Sequence, residues 1–107
     1  MDLAVLIFEL TSKFPKPEVY GLVSQMRRAA VAIPSNIAEG YGRRSRKEFR
    51  QFITIAYSSA LELETQLLLV KRLKFVSDDD FEKVSNLLQE NLKMLNSMTS
   101  KLKRASS

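Results

Sequence analysis

From Phe49 to Val70 the apolar residues fall at three- and four-residue steps: Phe49, Phe52, Ile53, Ala56, Ala60, Leu63, Leu67 and Val70. That spacing keeps one face of a helix apolar, whereas a strand repeats every second residue. No glycine or proline interrupts the run, so a long helix is predicted over 46–74. Its start is marked by Ser45-Arg46-Lys47-Glu48, which has the spacing of a capping box. A second stripe, Tyr57, Leu61 and Leu68, lies roughly 130° around the same helix. A bundle helix in a lone chain needs one apolar stripe. Two predict burial on two sides, which places a subunit contact at Tyr57, Leu61 and Leu68.

The rest of the chain keeps the helical period. Leu3, Leu6, Ile7, Leu10 and Phe14 predict a first helix over about 2–13, ended by Phe14-Pro15-Lys16-Pro17. Leu22, Met26, Ala29, Ala30, Ile33 and Ile37 share one face of a second helix. Arg28 points away from that face and Arg27 lies at its flank, so Arg28 is expected to make the outward contact. Pro34 predicts a kink or short break, with Ser35-Asn36 recapping the freed backbone. Gly40 and Gly42 bracket Tyr41 and mark the exit, one of them left-handed. Ser77-Asp78-Asp79-Asp80 opens a fourth helix, with acids suited to the positive end of its dipole. Its heptad seam runs Phe81, Leu88, Leu95 and Leu102 in one series and Val84, Asn91 and Met98 in the other, with Asn91 fixing register. Lys101, Lys103 and Arg104 suit the helix C-terminus, and residues 105–107 are expected to fray. The predicted architecture is all-α: an antiparallel up-down four-helix bundle with a shortened first helix and a Pro kink in the second. One domain spans 1–104.

Composition narrows the chemistry. Three glycines and three prolines in 107 residues are too few for a turn-rich β protein. The chain has no cysteine and no histidine, which removes thiolate chemistry, the commonest general base and the commonest transition-metal ligand. Di-metal sites in bundles need Glu-x-x-His pairs. Glu62 and Glu64 are two apart and point in different directions, so they read, like Glu39, as partners of nearby arginines or amides. Gly40-Tyr41-Gly42 lacks the strand and the Lys-Ser/Thr of a phosphate loop. Ser35, Ser58 and Ser59 have no base beside them. A non-enzymatic protein without metal or cofactor is expected. No apolar run approaches the roughly 18 residues of a membrane span, and no signal-peptide pattern opens the chain, so a cytoplasmic protein without membrane contact is expected.

The net charge is +5, and its excess is local. Between Arg27 and Arg50 lie seven basic residues, Arg27, Arg28, Arg43, Arg44, Arg46, Lys47 and Arg50, against Glu39 and Glu48 alone. The remainder of the chain is neutral. Six of the seven bases are arginine, whose planar fork suits phosphate. Such a patch attracts RNA or DNA. Tyr41 beside it reads either as a packing residue or as a ring on which a base stacks.

One block is more specific than its composition. Tyr20-Gly21-Leu22, then Gln25 through Arg43 (QMRRAAVAIPSNIAEGYGR), resembles the signature of the bacterial four-helix-bundle family named for 23S ribosomal RNA intervening sequences. Lys47-Glu48-Phe49 and Glu62-Leu63-Glu64-Thr65-Gln66-Leu67 are similar to that family's third helix. The resemblance implies a bundle that assembles as a homopentamer. It also implies kinship with the accessory variability protein of diversity-generating retroelements, which binds nucleic acid and a reverse transcriptase through a basic surface. Family members usually carry a dozen or so further residues ahead of this first helix, and Ala32 stands where Ser is common. The expected function is nucleic-acid binding by a non-catalytic homo-oligomer through residues 27–50. The alternative is a structural adaptor that docks an acidic protein partner, for example a nucleic-acid enzyme.

Overall fold

The computed structural model describes residues 1–15 and 19–105. Four helices follow one another: α1 (Asp2–Thr11), α2 (Tyr20–Tyr41), α3 (Arg46–Arg72) and α4 (Asp78–Ala105). Each helix packs against the next in sequence, and α1 also touches α4, so the four close a ring. The body measures 48 × 21 × 18 Å. This is an all-α four-helix bundle. Its axis is filled by fully buried Ile7, Met26, Ile53, Leu63, Leu67, Leu88 and Leu95, each contributing about 1.5–3 kcal/mol by leaving water. Most of the apolar face read along α3 is buried, while Phe49 and Phe52 are only half-buried because they lie at its open end.

Helix length decides what each end of the bundle looks like. α1 has 10 residues and α4 has 28, or about 15 Å against about 42 Å at 1.5 Å per residue. α1 lies toward the α3–α4 turn, where the Phe14 ring is 5.6 Å from that of Phe75 and Lys13 Nζ is 3.5 Å from the Asp80 carboxylate. The far end, with the α2–α3 turn and the end of α4, is built from three helices.

Several local features differ from the sequence reading. α1 gives way at Ser12 to a tighter turn, with Lys13 N–H on the Leu10 carbonyl and Phe14 N–H on that of Thr11. Pro15 is described, and Lys16 and Pro17 lie outside the described residues, as do 106–107 of the expected tail; Ala105 still belongs to α4. Of the kink or short break expected at Pro34, the break is absent, since α2 continues through it. Buried Ala30 and Ile33 tie the preceding turn to the core, which outweighs the lost backbone bond. Asn36 Nδ2 donates to the Ala32 carbonyl at 2.7 Å, not to the Ala30 carbonyl that Pro34 leaves without its usual donor.

Neither Gly40 nor Gly42 is left-handed. Gly42 caps α2 at φ −82°, and Gly40 is needed for space: a Cβ there would stand 2.8 Å from Phe49 Cδ1. The left-handed residue is Lys74, at φ 62°. It ends α3 in a Schellman arrangement, with Phe75 N–H on the Val70 carbonyl and Lys74 N–H on that of Lys71, both at 3.0 Å. At the starts of α3 and α4, Ser45 Oγ accepts from Glu48 N–H and Ser77 Oγ from Asp80 N–H, each at 3.1 Å. Asn91 is satisfied within its own helix, donating to the Leu87 carbonyl at 2.9 Å.

Candidate nucleic-acid interface

The α2–α3 turn concentrates charge because two helices meet there through a four-residue link rich in arginine. Tyr41 ends α2, Gly42 caps it, and Ser45 starts α3. Gly40 lets the Phe49 ring close over the end of α2, and the Tyr41 ring packs on it at 4.9 Å with the planes tilted 40°. Tyr41 nevertheless remains 68% exposed. Packing and an open ring face coexist.

Between these elements lies a cleft of about 290 Å³. Tyr41, Phe49 and Leu102 supply its apolar lining, and Arg43, Arg44 and Arg46 its charge. Arg43 is held in place: its guanidinium lies 4.7 Å from the centre of the Phe52 ring and 3.5 Å from Glu39 Oε1. Arg44, Arg46 and Lys47 are exposed and form no salt bridge or hydrogen bond with the described residues. Arg50, one turn further along α3, is half-buried.

Arg27 and Arg28 do not join this cluster. They lie 13 or more residues before Tyr41 on the same helix, which is about 20 Å along the axis. Arg27 faces α1, with Nε donating to Thr11 Oγ1 at 2.9 Å and its guanidinium 4.7 Å from the centre of the Phe8 ring. It is a packing residue of the α1–α2 contact. Arg28 points outward, as expected, and hydrogen-bonds Gln25. Sequence proximity therefore divides into a tight group at 43–47 and a distant exposed residue at 28.

Leu102, conversely, joins from the far end of the chain. Its place in the cleft brings the C-terminal part of α4, with Lys101 and Lys103 on either side of it, to the same end of the bundle. These lysines read in the sequence only as partners of the helix dipole. The placing of Leu102 beside Tyr41 and Phe49 has one sequence signal, the end of the heptad seam.

The acidic residues weighed for a metal site are committed elsewhere. Glu62 accepts from Gln66 at 3.3 Å and Glu64 from Gln89 at 2.6 Å, the latter tying α3 to α4. The apolar stripe on α3 is divided: Tyr57 is half-buried against the core, whereas Leu61 and Leu68 are 41% and 52% exposed. Ile55 and Leu69 are exposed apolar residues of α3 that the stripe did not include. No described helix is long and apolar enough to cross a membrane.

The same fold occurs in the crystal structure of a protein of unknown function from the S23 ribosomal protein family of Bacteroides thetaiotaomicron. The two share 27% identity with a TM-score of 0.85 over 92% of each chain. Among curated proteins none matches this chain. The model of the 23S rRNA-intervening sequence proteins matches residues 1–97, and with nearly the whole bundle inside that match, the chain belongs to the 23S rRNA-intervening sequence protein family.

Proposed function

We propose that this protein is a non-catalytic, homo-oligomeric helical bundle that binds RNA or DNA through the basic end formed by the α2–α3 turn. One observation carries the reading: Arg44 and Arg46 stand exposed and without described partners at the rim of a concave site, with exposed Lys47 next to them in the chain. Arginines that serve folding are tied to carboxylates or rings, as Arg27 and Arg43 are. Unpaired ones spaced along a turn are free to meet phosphates, and each such contact releases counterions. Arg28 and Arg50 are secondary contributors in this account.

The exposed Leu61 and Leu68, together with half-buried Tyr57, support self-association through α3. Five copies, the number implied by family resemblance, would repeat the basic end five times, so weak contacts would add as avidity. A reverse transcriptase or another nucleic-acid enzyme fits as a further partner, held on the same face. A cytoplasmic location accords with these roles. The test is equilibrium binding to single-stranded RNA and duplex DNA across a salt series, in which steeply salt-dependent affinity supports the reading and absence of binding at low salt refutes it.

A further inference from the structure

We propose that the cleft beside Tyr41 takes up one unpaired base, so that the protein binds single-stranded nucleic acid in preference to duplex. This rests on the nucleic-acid reading above and adds the form of the ligand.

The cleft's shape and lining carry the argument. Its volume of about 290 Å³ lies just below the range for drug-sized ligands, roughly 300–1,000 Å³. That suits one flat ring system and is too small for a double helix, whose base faces stay stacked inside and whose grooves show base edges alone. A surface built solely for duplex phosphates needs charge and no apolar recess. Here the recess is apolar on one side, from Phe49 and Leu102, and cationic at the rim, from Arg44 and Arg46.

Tyr41 supplies the stacking element. One face of its ring is braced by Phe49 at 4.9 Å, which limits its rotation. With 68% of the residue exposed, the ring keeps surface open to a ligand. Every base has a π face, so stacking on such a ring tolerates any sequence. Arg44 and Arg46 then meet the phosphates on either side of the inserted nucleotide, which a duplex cannot offer in that geometry without unpairing.

The experiment uses fluorescence anisotropy with three labelled probes: a thymidylate dodecamer, a duplex dodecamer, and a dodecamer of abasic sites that keeps the phosphates and removes every base. The expected result is that the thymidylate strand binds at least about tenfold more tightly than either other probe. Tyr41→Ala should erase that margin and Tyr41→Phe should keep it, with unchanged circular dichroism in both. Equal affinity for the three probes, with no effect of Tyr41→Ala, overturns the base-uptake inference while leaving phosphate binding standing. Failure of all three probes to bind at low salt overturns the nucleic-acid reading as well.

Discussion

Thr11 and Arg27 form a closed polar contact between α1 and α2. Thr11 is 3% exposed. Its hydroxyl donates to the Ile7 carbonyl at 2.7 Å and accepts from Arg27 Nε at 2.9 Å. Burying a hydroxyl is tolerable only when it is hydrogen-bonded, and here both of its roles are filled from within the contact. The short α1 is thus held to the bundle by an arginine whose charge sits over Phe8.

Arg27→Ala should therefore lower stability by about 1–3 kcal/mol, read by urea melts, through the lost charged hydrogen bond and ring contact. Nucleic-acid affinity should change by no more than about twofold, because this charge lies about 20 Å from the cleft. A large loss of binding without a loss of stability would return Arg27 to the interface.

Much of this fold was legible because helical period and caps are local signals. The Ser45 and Ser77 caps and the core face of α3 follow from spacing alone. The nature of Gly40 was not legible, because the atom that demands a glycine there belongs to Phe49 on the next helix. Lys74 was likewise hidden, since a left-handed residue is ordinarily signalled by Gly or Asn. For the site, the 43–47 group was readable as a run of charge. The withdrawal of Arg27 and the arrival of Leu102 were not, because both depend on which faces of three helices meet.

Gly40 and Gly21 should respond oppositely to alanine. At Gly40 the new methyl meets Phe49 Cδ1 at 2.8 Å and Phe52 Cβ at 3.1 Å, an overpacking cost of about 1–3 kcal/mol. That exceeds the helix-propensity gain of up to about 1 kcal/mol, so Gly40→Ala destabilises. Gly21 has nothing within 4 Å of such a methyl, and Gly21→Ala should raise stability by a few tenths to about 1 kcal/mol. Thermal melts of the two variants check the sign of each.

Lys74→Gly should stabilise the protein. A non-glycine residue at φ 62° carries a cost of about 1–2 kcal/mol, partly offset by the greater freedom glycine gains in the unfolded chain. A net gain of about 0.5–1 kcal/mol is expected, which raises the melting temperature by a few degrees. An unchanged or lower melting temperature would mean that the Lys74 side chain contributes contacts worth more than the backbone strain.

Leu61→Asp and Leu68→Asp should reduce the mass of the assembly seen by light scattering toward the 12.2 kDa of one chain. Both side chains are largely exposed in the single bundle, so helicity should persist with stability changes of no more than about 0.5 kcal/mol in the isolated chain. An unchanged mass would place the subunit contact elsewhere on the surface, with Ile55 and Leu69 the next residues to replace.

The most direct test of the proposed function compares the protein with its Arg44→Ala, Arg46→Ala, Lys47→Ala variant in anisotropy titrations of mixed-sequence single-stranded RNA and duplex DNA, from low to near-physiological salt. The account predicts binding at low salt whose logarithm falls linearly with the logarithm of salt concentration, and a slope for the RNA that flattens by about 2 in the triple variant for each protomer engaged. No binding at low salt, or identical slopes for the two proteins, would contradict it; the former would favour an acidic protein as the partner of this basic end.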